Sequence, residues 1–249
     1  MPRPCRGIAA ITAATSEGKL YDVDMRLRPS GAAGPIASTF EAFRRYHDEK
    51  AWTWEHMALS RARVICGPTR LRERVEGIIY KTLTAPRDGS TLLRDVADMR
   101  ARIDREFGTD FVWETKYVRG GLVDIEFIVQ YLQLANAHEH PEILSTNNQE
   151  ALAHLERAGI LAPDKARELA DALKLWHEVQ AILRLTIQGF FRKEREREVP
   201  EALKRVIARA ANEHDFETLE ARLRETARCI HNHFVELIEA PAAALANKN

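Results

Sequence analysis

Residues 116–130 read Lys116-Tyr-Val-Arg-Gly-Gly-Leu-Val-Asp-Ile-Glu-Phe-Ile-Val-Gln130, and apolar residues continue to about Ala137. Paired glycines followed by such a run predict a turn opening into a helix. On a wheel of about 100° per residue, Phe127, Ile128, Tyr131, Leu134 and Ala135 share one apolar arc. Asp124 falls near the middle of that arc. Glu126 falls on the polar side with Gln130 and Gln133, so the two acids cannot act as one carboxylate pair. A carboxylate facing a core needs a cation or hydrogen-bond donors, because burying an unpaired charge is costly. Asp124 therefore either faces a cleft and orients a basic residue or a metal shell, or forms a buried salt bridge that fixes the helix. Lys116 and Arg119 precede Gly120 and Gly121. Glycine lets backbone approach a ligand closely, and helix-start N–H groups favour anions. The four residues form a candidate phosphate site, or an ordinary hinge flanked by surface cations.

Working outward, helical patterns dominate. On the C-terminal side, amphipathic helices are punctuated by Gly159, Pro163, Gly189 and Pro200, with Pro163 at a first helical position and the two glycines as caps. The tail from Ala240 reads as frayed. On the N-terminal side, Phe111–Val118 reads as extended, Leu92–Phe107 and Thr69–Leu83 as helices, and Trp52 to about Cys66 as another. Ser38 with Glu41 has the capping-box spacing for a helix through Phe40, Phe43 and Tyr46. Trp52, Trp54, Glu55 and the Arg61/Arg63 pair read as packing and interdomain contacts, with core packing expected of the tryptophans and Arg61 and Arg63 extending a positive wall.

That wall begins in Tyr21-Asp-Val-Asp-Met-Arg-Leu-Arg-Pro-Ser-Gly31, where polar and apolar residues alternate strictly from Leu20 to Arg28. In a strand, Asp22, Asp24, Arg26 and Arg28 share one face. Carboxylates hold Mg²⁺ and guanidinium forks pair with phosphate, so this row suits a metal-and-phosphate site; it equally suits a solvated face tied by Asp–Arg pairs.

The 249 residues carry 37 basic and 37 acidic side chains, so no global positive field points to nucleic acid. Hydrophobic residues make up 45% and charged residues 30%, enough for a core in a water-soluble protein. Cys5, Cys66 and Cys229 are isolated thiols, which fits a reducing cytoplasm. No run is apolar enough for a membrane span, and the short apolar start lacks a convincing cleavage region for a signal peptide. Walker-type and Gly-x-Gly-x-x-Gly loops are absent, as is His-Glu-x-x-His; His231 and His233 diverge on a helix, so no zinc site is expected.

The stretch Tyr21–Gly31 resembles a segment of the glutamine synthetase adenylyltransferase/adenylyl-removing family. Lys50-Ala-Trp-Thr-Trp-Glu-His56, Arg61-Ala-Arg63 and Lys116–Gln130 follow in the family's order. The resemblance runs from about Arg6 to near the C-terminus and is similar to the family's C-terminal unit. It implies a nucleotidyltransferase that uses ATP and Mg²⁺ to adenylylate a tyrosine of glutamine synthetase, with a PII-type regulator as a second partner. It makes Asp24 a catalytic metal ligand with Asp22 a weaker candidate. Arg26, Arg28, Lys116, Arg119, Gly120 and Gly121 become phosphate contacts, and Asp124 and Glu126 cleft or structural carboxylates. The family's Gly-Ser-x-Asp-x-Asp motif is missing from these residues, which implies a truncated enzyme inactive alone; a non-catalytic helical interaction module is the alternative. The expected fold is mainly α: a helical bundle at 67–239, a small N-terminal β remnant of a nucleotidyltransferase domain within 1–66, and a disordered tail at 240–249.

Overall fold

Short polar side chains set the helix starts by accepting N–H groups that no helical carbonyl can reach. In the computed structural model, which describes residues 24, 25, 27–187, 191 and 193–246, Thr39 accepts from the Ala42 amide and opens α1, Phe40–Glu49. The cap is thus Thr39 and not Ser38. Glu41 is drawn sideways to Arg44 and Arg74, at 3.2 and 3.3 Å, rather than back to a cap amide. Glu55 accepts the Trp52 amide at 2.9 Å at the start of α2, Thr53–Leu59. This helix stops well short of Cys66, and at its end the Ser60 hydroxyl donates to the Met57 carbonyl at 2.7 Å. Helix α3 spans Thr69–Leu83, as the periodicity predicts.

Compact packing divides the chain between Thr82 and Leu83. In the second unit, Asp88 accepts from Ser90 and Thr91, so α4 begins at Gly89 and runs to Phe107. Helix α5 is Leu122–Asn136, α6 Asn148–Arg157, α7 Pro163–Thr186, α8 Glu201–Ala210 and α9 Phe216–Phe234. Pro163 occupies the first turn of α7, and Gly159 has φ 71° after α6, both as expected. Gly189 lies outside the described residues.

The expected extended segment at 111–118 is instead a chain of turns, closed by bonds such as Glu114 N–H to the Phe111 carbonyl at 2.9 Å. Its consecutive residues Phe111, Val112 and Trp113 are all buried, which a half-buried strand cannot achieve with alternating faces. Trp113 stacks on Phe216 with ring centroids 4.3 Å apart. The tail also differs. After a π-helical turn at Val235–Glu239, α10 continues through Ala240–Ala246 and packs against α4, with Ala242 buried. Alanine's high helix propensity, joined to that packing, outweighs fraying.

Helix α5 is the centre of the second unit, touching α4, α6, α7 and α9. Its expected polar side is absent: Gln130 and Gln133 are buried, and Gln133 accepts the Ser145 amide at 3.0 Å. The turn before α5 is equally enclosed. Gly120 has φ 79°, and a Cβ there would lie 1.8 Å from the Ala227 carbonyl oxygen of α9. Its own carbonyl accepts the indole N–H of fully buried Trp176 at 3.1 Å. Among the described residues the fold is mainly α with no strand; of the expected N-terminal strand, Leu20–Val23 and Arg26 lie outside them, and Asp24, Met25, Leu27 and Arg28 have no strand pairing.

Gly120→Ala is expected to destabilise the second unit by about 3 kcal/mol or more, through both the left-handed backbone and the clash. Urea unfolding followed by tryptophan fluorescence measures it; a change below about 1 kcal/mol would mean the contact yields easily.

Candidate functional site

The sequence-predicted site residues fall in both units. In the first, a cleft of about 420 Å³ opens among Leu27–Pro29, α1, α2, α3 and the segment after α2. Phe43, Leu59, Val75 and Ile79 give it apolar walls, and Arg28, Arg61 and Arg63 line it with cations. This volume and lining suit a small molecule with an apolar body and an anionic end. Arg61 and Arg63 are exposed, which leaves the cationic side accessible to solvent. Arg28 is engaged locally. Its guanidinium donates to the Gly34 carbonyl at 3.3 Å and to that of Met25, holding the Pro29–Gly34 turn.

Two side chains on α1 tune the cleft. The Tyr46 hydroxyl donates to Glu55 at 2.7 Å. Burial first, and that bond second, push its pKa above the ordinary phenol value. Burial pushes the His47 imidazole below its usual 6.5, so His47 is neutral at neutral pH. Its buried Nδ1 has no hydrogen-bond partner among the described residues. Trp52 and Trp54 do not pack in the core as expected; they are 69% and 37% exposed.

Asp24 is exposed, three residues before the chain reaches the cleft at Leu27. Asp22 and Arg26 lie outside the described residues. Mg²⁺ requires near-octahedral oxygen ligation. Among the described residues no cluster of three potential metal ligands includes Asp24. The described residues around Asp24 therefore do not fit a Mg²⁺ site.

In the second unit Arg119 and Gly120 of the predicted residues meet Asp124, which is fully buried in the first turn of α5. One carboxylate oxygen accepts from Arg100 of α4, itself fully buried. The other accepts the Gly120 amide at 2.5 Å and lies 3.6 Å from Arg119. Arg119 continues to Glu239 at 2.6 Å and to His231. Arg100 also donates to Asp104 and to the Tyr117 carbonyl. Of the two sequence readings of Asp124, the buried salt bridge is the one the geometry displays. The space beside Gly120 that a phosphate would need is filled by α9, and Gly121 is packed against the Thr115 and Val118 carbonyls. Lys116 is exposed, its ammonium 4.7 Å from the Tyr117 ring centroid, and Glu126 is half-buried.

Sequence reasoning also missed a cluster of Glu168, Cys229 and His233, whose donor atoms lie within 4.8 Å of one another. Cys229 and His233 are spaced to share a helix face. Glu168 comes from another helix, and no local pattern links it to them.

A family model described as glutamate-ammonia ligase adenylyltransferase matches residues 5–78. Another, described as GlnD PII-uridylyltransferase, matches residues 92–238. The gap between the matches contains the boundary between the two packed units. Curated relatives include bifunctional glutamine synthetase adenylyltransferase/adenylyl-removing enzymes. That of Rhodopseudomonas palustris strain TIE-1 is 49% identical over 218 residues, covering 88% of this chain and 22% of the relative. That of Bradyrhizobium diazoefficiens is 44% identical over 241 residues, covering 97% and 24%. That of Xanthobacter autotrophicus is 43% identical over 218 residues, covering 88% and 22%. The chain thus spans less than a quarter of the length of each of these relatives.

Removing one partner of a buried ion pair leaves an uncompensated charge. Asp124→Asn is expected to cost about 3–5 kcal/mol in urea unfolding, whereas Arg100→Met with Asp124→Leu is expected to cost less than the two single changes summed. Simple additivity in that cycle would show that the pair is not coupled.

Proposed function

The chain belongs to the glutamine synthetase adenylyltransferase/adenylyl-removing enzyme family, and from that premise we propose that it forms the C-terminal part of an AMP-transferring unit. The reaction joins a tyrosine hydroxyl oxygen of glutamine synthetase to the α-phosphorus of ATP. The bond to the β-phosphate bridge breaks, pyrophosphate leaves, and the hydroxyl proton is released. The observation that carries this reading is the cleft lined by Arg28, Arg61 and Arg63, which lies almost wholly within the stretch matched by the adenylyltransferase model.

Within that cleft Arg61 and Arg63 pair with phosphate oxygens, where planar donor forks give charge-assisted bonds. Phe43 and the aliphatic wall take the apolar face of the base. Arg28 fixes the turn that forms the cleft's edge. Asp24, with Asp22 beside it in sequence, contributes carboxylate to a catalytic set completed by acids of a Gly-Ser-x-Asp-x-Asp segment, a pattern these 249 residues do not contain. Without that segment the chain is inactive. The second unit holds the protein partners, glutamine synthetase and a PII-type regulator, in the cytoplasm. No helix among the described residues is long and apolar enough to cross a membrane.

A second reading, a non-catalytic helical interaction module, is favoured by the exposed Asp24 and the lack of a carboxylate cluster around it among the described residues. The two separate in one assay. The chain is incubated with ATP, Mg²⁺ and glutamine synthetase, alone or fused to the Gly-Ser-x-Asp-x-Asp segment of the Rhodopseudomonas relative, and the target is weighed by mass spectrometry. An AMP adduct is expected only with the fusion, and is expected to disappear in Asp24→Asn. Arg61→Ala with Arg63→Ala is expected to raise KM for ATP at least about tenfold, the loss of one charge-assisted contact. A fusion that folds, binds glutamine synthetase and leaves it unmodified supports the interaction module.

A further inference from the structure

Helix α9 carries Cys229 and His233 one turn apart, and α7 brings Glu168 against the same face. The Cys229 sulfur lies 3.5 Å from the Glu168 carboxylate oxygen and 3.8 Å from His233 Nε2, and that nitrogen lies 2.5 Å from the same carboxylate oxygen. From this triangle we propose that Glu168, Cys229 and His233 bind a borderline-soft divalent cation of the zinc class, which clamps α7 to α9.

Tetrahedral bonds of about 2.3 Å to sulfur and about 2.0 Å to nitrogen and oxygen set the separations such an ion requires. They are roughly 3.5 Å for sulfur–nitrogen and sulfur–oxygen, and roughly 3.3 Å for nitrogen–oxygen. Both sulfur edges therefore stand within a few tenths of an ångström of the requirement. The third edge is short because a hydrogen bond now spans it. Replacing that proton by a metal requires the carboxylate to withdraw by under an ångström. Glu168 can do so, since its side chain is 48% exposed while His233 is 12% exposed and anchored on α9.

Donor chemistry chooses the ion. Thiolate and imidazole select Zn²⁺ or Co²⁺ and discriminate against Mg²⁺ and Ca²⁺, which take oxygen. Three protein ligands leave a fourth position for water or for Glu236, one turn beyond His233 and now paired with Lys165. Lys165 stands one turn before Glu168, so this ion pair extends the same α7–α9 seam. Binding releases the Cys229 thiol proton to solvent and displaces the proton between His233 Nε2 and Glu168, which moves to Nδ1 of a neutral ring or, from an imidazolium, leaves to solvent.

The test is titration of the full chain with Co²⁺, read by absorbance, and with Zn²⁺, read by calorimetry and thermal unfolding. One ion per chain is expected, with a thiolate-to-cobalt charge-transfer band, tetrahedral d–d bands and a Zn²⁺-dependent rise in Tm. Mg²⁺ should produce none of these. Cys229→Ser should remove the charge-transfer band, His233→Ala and Glu168→Gln should weaken binding at least about tenfold, and Cys66→Ser should change nothing. Absence of the band in the unmodified chain, which needs no variant to fold, overturns the site. So does a band that survives Cys229→Ser or vanishes in Cys66→Ser.

Discussion

A carboxylate sealed beneath the first turn of α5 holds the second unit in register. Asp124 and Arg100 are each fully buried, so neither charge can be relieved by water. They must meet each other, and that requirement fixes α4 against α5. The remaining carboxylate oxygen takes the Gly120 amide, which fixes the turn, and the turn's carbonyl in turn takes the Trp176 indole of α7. Through Arg119 the same node reaches Glu239 in the π-helical turn beyond α9. Helices α4, α5 and α7, the turn before α5 and the π-helical turn are thus tied to a single ionised group. Such an arrangement specifies one packing more than it adds net stability, because desolvation offsets most of the attraction.

The first unit is built differently. Helix α1 has no fully buried residue, and beside the half-buried Tyr46–Glu55 bond its links to neighbours include surface pairs such as Glu41–Arg74 and Asp48–Lys81. Exposed pairs of this kind contribute little to stability. Binding surfaces are drawn from such lightly packed regions because a ligand needs access and side chains able to adjust. The cleft with its arginines belongs here, whereas the turn around Gly120 and Gly121 is already filled by protein. Glycine there serves close approach, and what approaches at Gly120 is the backbone of α9.

Ligand softness separates the proposed α7–α9 site from carboxylate chemistry. Oxygen donors such as Asp24 suit Mg²⁺, while the sulfur and nitrogen of Cys229 and His233 suit a zinc-class ion. The α7–α9 seam also shows why spacing alone misleads. His231 and His233 diverge on α9, yet each finds a partner: His231 lies beside Arg119, and His233 bonds to Glu168.

Local chemistry made much of the helical fold readable. The Thr69–Leu83 periodicity, the first-turn Pro163 and the left-handed Gly159 all act within a few residues of themselves, so sequence alone determined them. Ordered motifs likewise carried the family. Burial was another matter. The wheel assigned Gln130 and Gln133 to a solvent face because it could not know that neighbouring helices cover that side of α5. Turns at 111–118 passed for a strand because apolar residues there pack against Phe216 and Phe191, distant in the chain. Sequence showed that Asp124 needed a cation or hydrogen-bond donors; tertiary structure alone named Arg100, placed α9 over Gly120 and brought Glu168 to Cys229 and His233. The physical reason is range: caps and propensities act over one helical turn, whereas ion pairs and ligand sets are decided by which surfaces meet after collapse.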